Sequence, residues 1–184
     1  MAVDNPNLIW IDCEMTGLSL AHDALVEIAV LVTDAELNVL GDGVEYVIST
    51  SPEKLEQMSP EVRTMHTESG LLPLIPGGVS CSFAEEKILE YLSAHAVAGK
   101  SPLAGNSIAM DRNFIARDMP QLDAFLHYRS VDVSSIKELA RRWYPKIYFD
   151  SPKKTGNHRA LGDIQDSIAE LRYYREKIFL NPTN

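Results

Sequence analysis

Leu8-Ile9-Trp10-Ile11-Asp12-Cys13-Glu14-Met15 is the stretch on which the reading of the whole chain turns. It is rich in residues that favour extended backbone and closes at Thr16-Gly17, so it reads as a strand ending in a turn. Asp12 and Glu14 stand two apart, and a strand sends such side chains out on one face. Two like charges there repel unless a cation lies between them. The exposed face of an edge strand, with Ile9, Ile11, Cys13 and Met15 turned inward, accounts for the pair equally well. On these residues alone both readings stand.

Beyond it, Ala24 to Thr33 reads as a second strand and Val44 to Ile48 as a third, the connections being the polar stretch from Asp34 to Asn38 and the glycines Gly41 and Gly43. The three form an antiparallel meander. The period then changes. Ser82-Phe83-Ala84-Glu85 matches a capping box, and Ile88, Leu89, Leu92 and His95 continue at helical spacing toward a stop near Gly99. Leu103 to Asn106 is a short buried strand, Ala109 to Met119 a helix stopped by Pro120, Arg129 to Val133 another strand, and Ser135 to Trp143 a helix ending before Pro145. Leu161, Ile164, Ile168 and Leu171 recur every three or four residues and mark the last helix. Ser69 to Ser80 and Pro145 to Asn157 read as irregular, the second as a flap beside a site. A meander followed by strands alternating with helices implies an α/β architecture, a mixed sheet covered by helices. With no repeat or low-complexity tract, residues 1–184 are expected to form a single domain.

The balance of 17 Lys+Arg against 26 Asp+Glu leaves a net charge of −9, and 45% of the residues are hydrophobic. A chain of this length and composition supports its own core without disulfides. Two cysteines, Cys13 and Cys81, make no disulfide framework, which points to the cytoplasm. The N-terminus lacks the pattern of a signal peptide, and the most apolar segment, Leu25 to Val32, is interrupted by Glu27, so no membrane association is expected. The acidity argues against gripping a long nucleic acid by charge, because such proteins neutralise many phosphates with Lys and Arg. Nucleic-acid chemistry done through metal ions is untouched by that argument.

Three further groups then matter. Asp111 opens a helix after Gly105-Asn106-Ser107, where an acid is favoured by the helix dipole whatever its function. His158 and Asp163 stand five apart at the start of the last helix, where a cap-region histidine and a solvated aspartate are the plain alternative. In combination, Asp12, Glu14, Asp111 and Asp163 are the hard oxygen donors that two Mg²⁺ or Mn²⁺ ions require. Two such ions roughly 4 Å apart serve phosphodiester hydrolysis. His158 supplies a group whose ordinary pKa suits taking a proton from water near neutrality.

These stretches resemble a known family. Asp12-Cys13-Glu14, Gly105-Asn106-Ser107-Ile108-Ala109-Met110-Asp111-Arg112 and His158-Arg159-Ala160-Leu161-Gly162-Asp163 are similar to the three motifs of the DEDDh 3′→5′ exonucleases. Within them the likeness is greatest to the oligoribonuclease family, carried by Leu8 to Leu18, His127-Tyr128-Arg129, Asp132-Val133-Ser134 and Lys137 to Trp143. The resemblance implies a ribonuclease-H-like fold and hydrolysis of very short RNA, dinucleotides above all, to 5′ mononucleotides. It assigns Asp12, Glu14, Asp111 and Asp163 to the metals and His158 to the general base. It further implies that Leu18 wedges between bases, that His66 stacks on or contacts the substrate, and that Ser107, Arg129 and Ser134 hold a 5′ phosphate, Tyr128 arriving from the second protomer of a homodimer. On the residues alone, Leu18 would be ordinary packing, His66 a surface-loop residue and Tyr128 a core residue with its hydroxyl bonded. The sequence departs from the family pattern at Cys13, where Leu is common, and in Ser59 to Arg63, which lacks a Trp, so no second aromatic contact is assigned there.

Overall fold

The computed structural model describes residues 6–153 and 159–179. Among the described residues five strands form one sheet: β1 (Leu8–Met15), β2 (Leu25–Thr33), β3 (Val39–Val47), β4 (Pro102–Gly105) and β5 (His127–Asp132). Eight α-helices accompany them: α1 (Pro52–Glu56), α2 (Pro60–Glu68), α3 (Cys81–His95), α4 (Ala109–Asp118), α5 (Pro120–Phe125), α6 (Val133–Trp143), α7 (Pro145–Phe149) and α8 (Ala160–Ile178). The strand order is β3-β2-β1-β4-β5. β1, β2 and β3 pair antiparallel, as the meander predicts, and β4 joins β1, and β5 joins β4, in parallel. The sheet is therefore mixed and covered on both faces by helices.

Both faces of β1 are apolar because both are covered. Ile9, Ile11 and Cys13 pack with Ile28, Val30 and Val32 of β2 against Ile88 and Leu92 of α3 and Phe114 and Ile115 of α4. Trp10 points the other way, with Ala29 and Leu31, against Ala140 of α6 and Ile164, Ile168 and Tyr174 of α8. The Trp10 indole N–H donates to Thr33 Oγ1 at 2.9 Å, so its one polar group is satisfied in the core. All nine residues of β2 are buried. Because β1 lies in the middle of the sheet, the edge-strand explanation of Asp12 and Glu14 fails. Both project from the Trp10 face, toward α8.

Several boundaries differ from expectation for identifiable reasons. β3 starts at Val39, ahead of Val44, because its pairing with β2 resumes at Leu40 on the far side of Gly41 and Gly43, whose φ values of 73° and 74° belong to an irregularity in the ladder between Val30 and Val32. Ile48 leaves the strand to bridge Val79. The cap of α3 is Ser80, which accepts the Phe83 amide at 3.2 Å. The expected capping box fails because Glu85 is buried and turned to α5, where its Oε1 accepts the amides of Gln121 (2.7 Å) and Leu122 (3.0 Å). α3 ends at His95, before the expected stop near Gly99. The segment 69–80 contains a 3₁₀ turn, Leu72–Gly77, and 145–157 begins with α7; residues 154–158 lie outside the described residues. α1 and α2, to which periodicity assigned nothing, start on Pro52 and Pro60, each behind a serine.

Candidate active site

β1 outruns β4. Their pairing stops at Trp10–Ala104, so the backbone beyond it on that side is open to side chains. Asp111, on the first turn of α4, occupies this place, its Oδ1 accepting the Cys13 amide at 3.0 Å. From the other side comes Asp163, on the first turn of α8. Asp12, Glu14 and Asp163 bring carboxylate oxygens within 4.8 Å of one another. Asp111 borders this group and acts on Glu14 electrostatically.

The energetic signature is that of a site built for cations. Burial, reinforced by the charges of Asp163, Glu27 and Asp111 and opposed by Arg159, pushes the Glu14 carboxyl up to about 8. Burial also pushes Asp111 up to about 6, against hydrogen bonds that favour its anion. Convergent carboxylates held this far from their ordinary range are costly to the fold without a counter-charge. All are hard oxygen donors, which fit a divalent ion of the Mg²⁺ or Mn²⁺ kind.

His66 lies beneath this cluster. It is fully buried on α2, its Nε2 donates to the Met15 carbonyl at 2.8 Å, and its Nδ1, 3.9 Å from Glu14 Oε2, has no hydrogen-bond partner. The surface-loop reading of His66 is thereby overturned. Two other plain readings fail as well: Leu18 is 67% exposed and Tyr128 74% exposed, so neither packs in a core. Leu18 rides on a loop tied down from within. Asp23 accepts from Thr16 Oγ1 and the Ser19 amide, and Arg117 donates to the carbonyls of Leu20 and Asp23. A Cβ at Gly17 would stand 2.5 Å from Asp23 Oδ2, so a larger residue here must displace the carboxylate that ties the loop.

One strand over from the acids, the ends of β4 and β5 build a second polar cluster. Ser107 has φ 57°, a left-handed conformation that costs a residue with a Cβ roughly 1 kcal/mol. Asp132 holds it there, its Oδ1 accepting the amides of Ser107 (3.0 Å) and Ser134 (2.9 Å). The two serine hydroxyls meet at 2.9 Å at the start of α6, where the helix dipole favours an anion. The exposed Arg129 guanidinium lies 5.3 Å from the Tyr128 ring centroid. Behind the serines, Asn106 bonds Ser134, Ser167 and the buried Glu170, which pairs with Lys137 at 2.9 Å.

Six of the residues singled out from the sequence thus fall into two neighbouring groups where β1, β4 and β5 end, Asp12, Glu14, Asp111 and Asp163 in one and Ser107 and Ser134 in the other; Tyr128 and Arg129 lie at the start of β5, between the levels of Pro102 and Leu103. His158 lies outside the described residues. The sequence reading assigned no role to Asp23, Asn106, Glu27 or Glu170. For Glu27 a signal existed, a charge inside an apolar run; Asn106 and Glu170 have partners distant in the chain, and Asp23 bonds Thr16 and Ser19 within its own loop.

Comparison with known proteins agrees with this geometry. Residues 9–171 match the family described as Exonuclease. Oligoribonuclease of Streptomyces griseus is 62% identical over 177 residues, covering 96% of this chain and 88% of that protein. Oligoribonuclease of Leifsonia xyli subsp. xyli is 57% identical, covering 98% and 87%. Among solved structures, a zinc-bound complex of E. coli exonuclease I with single-stranded DNA superposes with a TM-score of 0.72 at 15% identity, covering 95% of this chain but only 41% of that one, and so speaks for the fold alone. Exonuclease I of Methylocaldum szegediense superposes at 0.70 with 20% identity, covering 94% of this chain and 41% of its own. No helix among the described residues is long and apolar enough to cross a membrane. Together with the carboxylate cluster at the end of β1, these matches lead to one conclusion: the chain belongs to the oligoribonuclease family and is a metal-dependent 3′→5′ exonuclease.

Proposed function

We propose that this exonuclease is an exoribonuclease of very short RNA, cleaving 5′-phosphorylated dinucleotides above all and releasing 5′ mononucleotides. The observation that carries the reading is the spacing of the two polar groups. The paired hydroxyls of Ser107 and Ser134 at the start of α6 stand one strand from the acidic cluster, which suits a substrate whose 5′ phosphate and scissile phosphate are close together.

Asp12, Glu14, Asp111 and Asp163 would hold two divalent ions, Mg²⁺ or Mn²⁺. When bound, these ions supply Lewis-acid activation of water and neutralise charge at the scissile phosphate. His158 takes the proton that the attacking water must lose, as general base. Ser107, Ser134 and Arg129 bind the terminal phosphate, and Leu18, exposed at the tip of its tethered loop, wedges between the bases. His66 is fully buried against Met15 and Glu14 and has no open face for a base, so we assign it the positioning of that strand end in place of the expected stacking on or contact with the substrate. The protein works as a homodimer in which Tyr128, exposed on the edge strand β5, closes over the partner's phosphate pocket. We place it in the cytoplasm, where RNA is degraded and where the unpaired Cys13 and Cys81 stay reduced.

A series of 5′-labelled oligoribonucleotides from two nucleotides upward, with Mg²⁺ or Mn²⁺, tests this. The dinucleotide should turn over fastest. Equal or faster cleavage of twenty-nucleotide RNA, or no release of mononucleotide from the dinucleotide, would defeat the proposal.

A further inference from the structure

Glu27 is fully buried, yet it lies beside the cluster that most needs relief from negative charge, directly opposite Glu14 in the β1–β2 pairing. Its partners explain its place. Oε1 accepts from Arg159 Nε at 2.9 Å and Nη2 at 2.7 Å, and Oε2 accepts from the Ala160 amide at 3.0 Å. Glu45, on β3, repeats the pattern one residue on: its Oε1 accepts the Leu161 amide at 3.1 Å and its Oε2 the Arg159 guanidinium at 3.5 Å. The first two amides of α8 are therefore capped by carboxylates from two strands of the sheet. The helix's own N-cap residue, Arg159, caps nothing locally.

A helix needing only stability would take Ser, Thr, Asp or Asn at its N-cap. Burying a Glu–Arg pair is a poor route to stability, since desolvation offsets much of the attraction. What the arrangement supplies is position. Two strands and a helix end are locked in one register, and the Asp163 amide makes its helical bond to the Arg159 carbonyl at 3.0 Å. Asp163 is thus placed one turn from the clamp, toward Asp12 and Glu14, and residue 158 is the immediate chain neighbour of Arg159.

We infer that Glu27, Glu45 and Arg159 are positioning residues of the exonuclease, a clamp that fixes the start of α8 and so sets Asp163 against the carboxylates of β1. The inference rests on the proposed roles of Asp163 and His158. Its test uses Glu27→Gln, which keeps the shape and loses the charge, with the milder Glu45→Gln and the charge-balanced double change Glu27→Gln with Arg159→Met. At saturating Mn²⁺ and below the unfolding transition, Glu27→Gln should lower kcat on a 5′-phosphorylated dinucleotide roughly tenfold to a hundredfold, the scale of a displacement on the order of 1 Å. KM should stay within about twofold, because the phosphate pocket is built from other elements. The Ala160 and Leu161 amides should exchange faster with solvent, and Glu45→Gln should move both readouts less. The double variant should lose no more than the worse single one, as coupling through one contact requires.

Wild-type kcat in folded Glu27→Gln, or a shift only in the Mn²⁺ half-saturation concentration, would overturn the inference, Glu27 then being structural or a diffuse negative charge. Additive losses in the double variant would do the same. If Glu27→Gln does not fold, Glu45→Gln with unchanged kcat and unchanged amide exchange refutes the clamp. An inactive wild-type protein would count against the proposed function alone, while exchange of the Ala160 and Leu161 amides still reports on the clamp.

Discussion

Stripping divalent metal from this protein should leave a fold that weakens as pH rises through neutrality. Glu14 titrates at about 8 in the folded chain against an ordinary 4.5, and Asp111 at about 6 against 3.8. Both values are raised, so the metal-free native state holds protons that the unfolded chain has released. The stability linked to each group is complete below its ordinary value and is lost as pH climbs through the folded one. Asp111 is largely spent by about pH 6. From there to about pH 8 Glu14 is left, and two pH units at about 1.4 kcal/mol each amount to about 3 kcal/mol. The groups facing Glu14 are Asp163, Glu27 and Asp111, which oppose its ionisation, Arg159, which favours it, Asp12 within 4.8 Å, and His66 Nδ1 at 3.9 Å. Urea unfolding followed by the fluorescence of the buried Trp10, in chelator at about pH 6 and again at about pH 8, measures the loss. Mn²⁺ should restore more stability at the higher pH, because the ligands must be deprotonated to bind. Glu14→Gln should flatten the slope. A metal-free stability that is level or rising across this window, or an unchanged slope in Glu14→Gln, would refute the reasoning.

Asp12→Ala should abolish turnover by emptying a metal ligand position while circular dichroism stays native, and retained turnover would remove Asp12 from the cage. Phe114→Ala, deep between α4 and the sheet, should cost about 3 to 5 kcal/mol in urea unfolding by opening a cavity. Gly17→Ala forces a Cβ against the Asp23 carboxylate, and should raise KM for the dinucleotide several-fold by displacing the Leu18 loop, with kcat little changed. Mixing inactive Tyr128→Ala chains with inactive Asp111→Ala chains should recover part of the activity if Tyr128 acts across a dimer; verified mixed dimers that stay inactive would place it within one chain.

Much of the architecture was legible because it is written locally. Runs of β-branched and aliphatic residues mark β1 and β2, and Ile164, Ile168 and Leu171 show one face of α8 at helical spacing. What was not legible has physical causes as specific. α1 and α2 together bury a single side chain, His66, so no apolar stripe announces them. Gly41 and Gly43 read as a turn, but serve an irregularity within a continuous strand because the partner strand holds the chain extended on both sides. Ser82 and Glu85 have the spacing of a capping box, but the two orphan amides at the start of α5 lie within reach of Glu85 and draw its carboxylate away.

Local residue order supplies the chemistry: a strand carrying two acids, two helix starts each carrying one, and serines at the ends of β4 and β5. Folding brings these groups together. β1 becomes central because both its faces are apolar and both must be covered, and β4 stops short, leaving the Cys13 amide to Asp111. The start of α8 is carried to that same strand end by carboxylates on β2 and β3, partners more than a hundred residues away in the chain. Propensity and periodicity report what neighbouring residues do to one another. The convergence of four carboxylates depends on burial and hydrogen bonds between segments that meet only when the sheet has formed.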